Sequence, residues 1–245
     1  MHSRLTTRRL ATVAVAGAAT LAVLAPTASA ADLGASQGTQ TVASQAAAKL
    51  PAKLTVNSYL TYLKTQKTPE AKKTLRSFSA LPAAKKARFV THLQDRKIQE
   101  KLLKELSGAI NTPKQSVTKV NADVKFVQQV TSKRNFKDAK GATVVSYTVT
   151  ETIFGIPVTA ENLTLHYNVV KGKVQRKARA VARVTNVNAA VAIKGGPVKV
   201  AVKGLARAEV KWKLTPKVAS FGAAITKQQV VKGHTKVWNT QFLNG

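Results

Sequence analysis

A period of two runs through Lys173–Leu214, where basic side chains fall on one side of the chain and small apolar ones on the other. In its second run, from Val198 to Leu214, Ala206, Ala208, Val210, Trp212 and Leu214 hold even positions, and all the basic residues hold odd ones. Alternate residues of a strand face opposite sides of a sheet, so the pattern predicts an apolar sheet face backed by a cationic one. We therefore expect a fold built on antiparallel strands with one buried and one solvated face.

The basic positions of this stretch are the candidate binding residues. The candidate polyanion-binding residues are Lys173, Lys177, Arg179, Arg183, Lys199, Lys203, Arg207, Lys211 and Lys213. Neighbouring strands lie about 4.8 Å apart and alternate residues about 6.8 Å apart, so such charges lie within one Debye length of each other and attract a polyanion by counterion release. Because Tyr147, Tyr167 and Trp212 fall on the apolar parity, a platform that stacks nucleic-acid bases is not expected.

The charge of the whole chain supports the same interpretation. Without the three arginines of residues 1–30, the 40 basic residues fall to 37 against 10 acidic ones, a formal charge near +27. Lysine outnumbers arginine more than two to one, which favours diffuse attraction to a polyanion over bidentate recognition of one ligand. The alternative is a solvated surface that keeps an exported protein soluble. The chain has no cysteine, which excludes disulfides, thiol nucleophiles and thiolate metal sites.

Residues 1–30 are predicted to be a secretory signal peptide. A basic start that includes Arg8-Arg9 precedes an apolar run, Leu10–Leu24, and Ala28-Ser29-Ala30 fits signal-peptidase cleavage. Both general secretion and twin-arginine export fit this pattern, and an uncleaved amphipathic anchor is the alternative. The alanine-rich segment resembles in composition the signal peptides of high-GC Gram-positive bacteria. Residues 31–53 are rich in Ala, Gly, Ser, Thr and Gln and contain no aromatic residue, which predicts a flexible leader.

Residues 54–110 are predicted to be a helical region of about four short helices. Val56, Tyr59, Leu60 and Leu63 form one apolar stripe behind the N-cap Thr55. Thr68-Pro69-Glu70 marks a second helix start, and Leu81-Pro82 separates the second helix from the third. A fourth helix is expected from about Lys97 to Ser107-Gly108, with Leu102 and Leu106 in its stripe.

Residues 111–245 are predicted to form an antiparallel β domain, which makes the fold class α+β. Apolar and polar residues alternate from Val124 onward, and the expected turns include Gly155-Ile156-Pro157 and Lys232-Gly233. A further strand is expected to include Phe221, Ala223 and Ile225. We expect a β-meander or half-barrel of six to eight strands, with the helices covering one edge or mouth.

No motif for catalysis, a metal or a cofactor accompanies these elements. His92, His166 and His234 are far apart in sequence, and no Glu-x-x-His or Gly-x-Ser-x-Gly pattern is present. Glu151 falls on the apolar parity of its strand, where a buried carboxylate needs a cationic partner or a raised pKa. It is therefore either a ligand-binding acid in a barrel mouth, or an edge or bulge position that turns the side chain out to water. The other acids after residue 105 are expected in surface ion pairs. Ser146 and Thr148 share the polar parity with Thr150 and Thr152, and this face is either a hydroxyl ladder for a sugar or ordinary strand surface.

The sequence thus predicts a secreted, cationic, non-enzymatic binding protein without a cofactor and without a membrane span after signal cleavage. Its expected location is extracellular, with association with the cell wall as one option. The expected partner is an anionic polymer, either a teichoic-type polymer, an acidic polysaccharide or non-specifically bound nucleic acid. A structural or adaptor subunit of an extracellular assembly, bound to an acidic protein partner, is one alternative. A cationic antibacterial effector is the other.

Overall fold

The computed structural model describes residues 50–137 and 141–245, so the predicted signal peptide and most of the predicted leader lie outside the described residues. Helices come first and antiparallel strands follow, which confirms the α+β class. The helices are α1 (Val56–Thr65), α2 (Pro69–Ser79), α3 (Ala83–Leu93) and α4 (Arg96–Gln99). The strands are β1 (Leu106–Ala109), β2 (Lys114–Lys119), β3 (Val124–Arg134), β4 (Ala142–Ile153), β5 (Ile156–Val170), β6 (Lys173–Asn186), β7 (Val191–Gly195), β8 (Lys199–Lys203), β9 (Leu205–Pro216), β10 (Ile225–Gly233) and β11 (Val237–Asn244).

The strands of the described residues form two open antiparallel sheets, where the sequence suggested a meander or half-barrel of six to eight strands. Sheet I has the order β1-β11-β10-β9-β7, and β8 pairs with the other end of β9 on the same side as β7. Sheet II has the order β2-β3-β4-β5-β6. Most neighbours in each sheet are consecutive in the chain, as expected for antiparallel strands joined by short turns.

The inner faces of the two sheets pack on each other and form the core. Trp212 and Val231 on sheet I and Tyr147 and Leu163 on sheet II are all buried. Gln229 joins the sheets, because its side-chain oxygen accepts from Trp212 Nε1 at 2.9 Å and its amide donates to the Tyr147 carbonyl at 2.9 Å. Strands of both sheets thus share one interior, in which Gln229 pairs polar groups across the two sheets.

Helices α1 to α3 pack through an aromatic cluster of fully buried Tyr59, Phe78 and Phe89. The predicted caps are confirmed, since the Thr55 hydroxyl accepts from Ser58 N and the Thr68 hydroxyl accepts from Ala71 N, both at 3.2 Å. Each cap pairs a backbone N–H that would otherwise lack a partner at the helix start.

The helices lie against the turns at one end of the two sheets. The Tyr59 hydroxyl donates to the Val187 carbonyl at 3.1 Å, and the Asn188 amide donates to the Leu93 carbonyl at 3.0 Å. Helical and strand residues therefore share a single hydrophobic core. In the part of the chain that the structure describes, no helix combines the length and apolar character needed to cross a bilayer.

The predicted fourth helix is wrong beyond its first turn. Helix α4 ends at Gln99, and strand β1 begins at Leu106, which pairs with Thr240 of β11. The spacing of leucines suggested a helical stripe, but Leu102 is 66% exposed, while Leu103 and Leu106 are buried outside any helix. Pairing with the edge of sheet I outweighs the local helical periodicity.

Two other local predictions also differ from the structure. The β4–β5 turn is formed by Phe154 and Gly155, both with positive φ, which places Ile156 and Pro157 in β5. This pair of left-handed residues fits the tight turn that strand twist favours. The expected strand around Phe221 is a 3-10 turn (Ala219–Phe221), and the strand begins only at Ile225.

Candidate functional site

The first group of candidate cations lies on strand β6. Arg179 is paired with His166 and Arg183 with Asn162 on the outer face of sheet II, and both arginines are exposed. Lys173 and Lys177 are also exposed and lie near the β5–β6 turn, beside a break in register opposite Asn168. The opposite side of β6 carries small alanines packed against the core, so the predicted division of this strand into a cationic and an apolar face is confirmed.

The second group lies on the outer face of sheet I, on strands β8 and β9. Lys199, Lys203, Lys211 and Lys213 are exposed, and Arg207 is partly buried. Glu209 interrupts this group, because it lies opposite Lys199 and forms a 2.7 Å ion pair with Arg207. The even positions of β9 from Ala206 to Leu214 are all buried, as the alternation predicts.

The two groups approach each other at one edge of the molecule. Strand β6 is the last strand of sheet II, and its Cα atoms come within 8 Å of strands β7, β8 and β9. Lys194, which is not one of the nine candidate residues, lies on β7 directly opposite Lys213. The candidate residues thus lie on the outer faces of two sheets rather than on one continuous sheet face. Strands β6 and β8 lie side by side where the two groups meet.

Most of the acidic residues that could neutralise this surface are engaged elsewhere. Among residues 50–137 and 141–245, ion pairs within 4.0 Å involve only three arginines and one histidine: Arg88, Arg96, Arg207 and His92. Asp95 caps α4, and Glu105 accepts hydrogen bonds from Asn239 and Gln241. All nine candidate residues except Arg207 therefore lack an acidic partner among the described residues.

A polar network lies on the outer face of sheet II next to β6; it consists of Ser146, Thr148, Asn162 and Thr164. The Asn162 amide nitrogen donates to Ser146 Oγ at 2.8 Å and to Thr148 Oγ1 at 2.9 Å. Thr164 Oγ1 donates to Asn162 Oδ1 at 3.0 Å and lies 2.9 Å from Ser146 Oγ. All four side chains are partly exposed, so the network has one side towards solvent.

A shallow pocket of about 290 Å³ adjoins this network on β4, β5 and β6. Lys177, Arg179, His166 and Asn168 contribute polar groups to its lining. Partial burial and the Arg179 charge lower the pKa of His166. A lowered pKa keeps the imidazole neutral at neutral pH, so the lasting positive charge of the pocket comes from Lys177 and Arg179.

A second polar group is buried between the sheets, beneath α4. Glu151 on β4, Glu161 on β5 and Lys227 on β10 are 0%, 4% and 3% exposed. Lys227 Nζ lies 5.2 Å from the ring centre of Phe242 and 5.9 Å from that of Phe126. We call Glu151, Glu161 and Lys227 the buried charge cluster. No carboxylate oxygen of Glu151 or Glu161 is within ion-pair distance of Lys227 Nζ. Each of the three groups is therefore compensated by other neighbouring atoms rather than by a direct ion pair.

Burial shifts the proton affinity of all three members. Loss of hydration raises the pKa of Glu151 to about 7, against the opposing effects of the Gln99 hydrogen bond and the nearby Lys227. Loss of hydration and repulsion by Glu151 raise the pKa of Glu161 to about 8. Burial lowers the pKa of Lys227 to about 8, although both carboxylates oppose this. At neutral pH the cluster therefore holds more protons on its carboxyls than the same residues would in water.

The structure excludes the solvent-facing interpretation of Glu151 and corrects the expectation for Glu161. Glu151 points into the core rather than to water from a bulge, while the register break of β4 follows it between Glu151 and Thr152. Glu161 was expected in a surface ion pair but is buried. In the sequence, Glu161 has the same parity as Leu163 and Leu165, and Lys227 has the same parity as Gln229 and Val231. This shared parity was the sequence signal that indicated burial of both residues.

The histidines remain apart. His92 lies 3.1 Å from Asp123 at the β2–β3 turn, and Arg88 also binds this carboxylate at 3.0 Å. This contact links α3 to sheet II and agrees with the expected local ion pairs. Within residues 50–137 and 141–245, no three His, Asp or Glu side chains gather as a metal site.

A scan against models of protein families finds no family that matches this chain, and searches of curated proteins and of solved structures find no match either. Functional interpretation therefore depends on the chemistry of the surfaces described above.

Proposed function

We propose that this protein is secreted and binds anionic polymers of a cell envelope through the exposed cations of β6, β8 and β9, without catalysing a reaction. The observation that carries the proposal is the imbalance of surface charge. Seven of the eight acidic residues in the described part of the chain are buried or engaged in hydrogen bonds and ion pairs, Glu70 being the exception, whereas eight of the nine candidate cations face solvent without an ion pair among the described residues. Such a surface attracts polyanions and releases their counterions.

The arrangement favours a long flexible polymer over a small ligand. The cations occupy the outer faces of two sheets that approach at β6 and β8. A polymer that follows this edge can contact both groups of cations in succession. Because most of these residues are lysines, each contact is a point charge without directional demands.

Salt dependence tests the proposal. We expect the purified protein to bind immobilised poly(glycerol phosphate), and its affinity to fall by about a thousandfold or more from 50 to 200 mM NaCl if six or more charges are engaged. Binding that is insensitive to salt would overturn the electrostatic mechanism, and absence of binding to this polymer, to polygalacturonate and to DNA would overturn the function.

Two variants with equal charge loss locate the surface. The variant with Lys177, Arg179, Arg183 and Lys199 changed to glutamine is expected to lose most of the affinity. The control changes Lys64, Lys67, Lys72 and Lys97, which are exposed residues in or next to the helices, to glutamine. Equal loss in both variants would mean that total charge, rather than this surface, controls binding.

A further inference from the structure

The outer face of sheet II combines fixed hydrogen-bonding groups with cations in successive rows across three strands. One row contains Thr148 of β4, Asn162 of β5 and Arg183 of β6. A second row, four residues away along β5, contains Val144, His166 and Arg179. Between them lies the row of Ser146, Thr164 and Val181. Rows on one face of a sheet repeat about every 6.8 Å along the strands.

The hydrogen-bond directions in the polar network leave one hydroxyl proton available. The Thr164 proton is donated to Asn162 Oδ1, so Ser146 supplies the proton between itself and Thr164. The two amide protons of Asn162 are donated to Ser146 and Thr148. Thr148 is then an acceptor whose own proton has no protein partner among the described residues. Its hydroxyl is held in place and can donate to a ligand.

We propose that this face recognises the hydroxyl groups of an anionic polymer, that is, a chain of sugar or polyol units that carries phosphate or carboxylate. Arg183 lies in the same row as Thr148 and Asn162, and the pocket with Lys177 and Arg179 lies two rows away. A hydroxyl-bearing unit therefore contacts Thr148 and Asn162 while its anionic groups contact the arginines and Lys177. The inference rests on the proposed function and adds to it a preference among polyanions.

The preorganisation of the network explains why such a preference is expected. A hydroxyl that is already oriented by its neighbours loses little conformational freedom when a ligand hydroxyl binds. A polar site that pairs with ligand hydroxyls discriminates against a ligand without them, because its own polar groups then lose partners. Charge alone does not discriminate in this way, because polymers with and without hydroxyl groups both carry it.

The test compares polymers with and without hydroxyl groups. Binding of the purified protein to poly(glycerol phosphate), polygalacturonate and hydroxyl-free polyphosphate is measured at one fixed salt concentration. In T148V, which removes the hydroxyl and keeps the shape, affinity for at least one hydroxyl-bearing polymer is expected to fall about fivefold. Affinity for polyphosphate is expected to stay unchanged. A loss with poly(glycerol phosphate) alone identifies phosphate as the preferred anion, and a loss with polygalacturonate alone identifies carboxylate.

Thr150→Val is the matched control, because Thr150 lies on the same face of β4 outside the network. It is expected to bind all three polymers as the unmodified protein does. If T148V binds both hydroxyl-bearing polymers normally, or loses polyphosphate binding equally, the inference is wrong while electrostatic binding stands. If the unmodified protein binds none of the three polymers, the proposed function fails together with it.

Discussion

The Gln99 side-chain amide donates a 2.6 Å hydrogen bond to the Glu151 carboxylate, 52 positions away in the chain. Gln99 is the last residue of α4 and Glu151 lies on β4, so this contact fixes the short helix over the interior of the two sheets. Among the residues that the structure describes, none donates a hydrogen bond to the other carboxyl oxygen of Glu151. The contact with Gln99 is therefore the main compensation for burying this acid.

Replacement of Gln99 by leucine is expected to destabilise the protein in a pH-dependent way. At pH 8, where Glu151 is largely ionised, loss of the hydrogen bond should cost about 1–3 kcal/mol, because a buried carboxylate loses its partner. At pH 5 the carboxyl is protonated and the cost should be smaller. Urea unfolding at both pH values measures the difference. The control is Gln129→Leu on the exposed face of β3, and an equal cost of Q99L at both pH values would contradict the prediction.

Glu161→Gln is expected to change how stability depends on pH. The folded pKa of Glu161 is raised above its unfolded value, so its stabilising contribution is complete at low pH and is lost as the pH rises from about 4.5 to about 8. The variant removes this loss and should be more stable than the unmodified protein at pH 8, by on the order of 3 kcal/mol. Denaturant unfolding across this pH range provides the measurement.

The surface acid Glu209 supplies the comparison for that experiment, because it is partly exposed and paired with Arg207. Glu209→Gln should keep the pH profile of the unmodified protein. A parallel profile for the Glu161 variant as well would show that Glu161 is not the source of the pH dependence.

Lys227→Met is expected to raise the pKa values of Glu151 and Glu161 further. The nearby ammonium group lowers both values in the unmodified protein, and an apolar side chain of similar length removes that effect. Carbon-13 NMR titration of the glutamate carboxyls measures the shift directly. Lys232→Met on the outer face of the same strand should leave both titrations unchanged, and unchanged values in the Lys227 variant would disprove the coupling.

Gly233→Ala is expected to destabilise the packing of the two sheets by about 1–3 kcal/mol. A methyl group at Gly233 would overlap the ring of Tyr167, whose hydroxyl donates to the His234 carbonyl at 2.7 Å. Gly196→Ala is the control, since its methyl group would come no closer than 3.4 Å to the Lys211 carbonyl oxygen. Thermal unfolding of both variants tests the difference, and equal midpoints would argue against close packing at Gly233.

Elements with strong local signals could be predicted from the sequence. The cap at Thr68, the alternation along β9 and the exposure of Arg179 and Arg183 all follow from spacing within a few residues. The strand β1 could not be predicted in this way, because Leu106 becomes part of a strand only through pairing with Thr240. Glu161 was also misplaced, because the expectation of an ion pair for the acids after residue 105 did not use its parity with Leu163 and Leu165, which indicated burial.

The sequence by itself determined the α+β class, the caps of α1 and α2 and which side of each lysine-rich strand faces solvent. These properties depend on helical and strand periods, which are local. Only the tertiary structure divided the candidate cations between two sheets and brought β6 beside β8. It also placed Glu151 and Glu161 near Lys227. The reason is physical: strand order and sheet packing depend on contacts between residues far apart in the chain, and alternation within one strand carries no information about its neighbours.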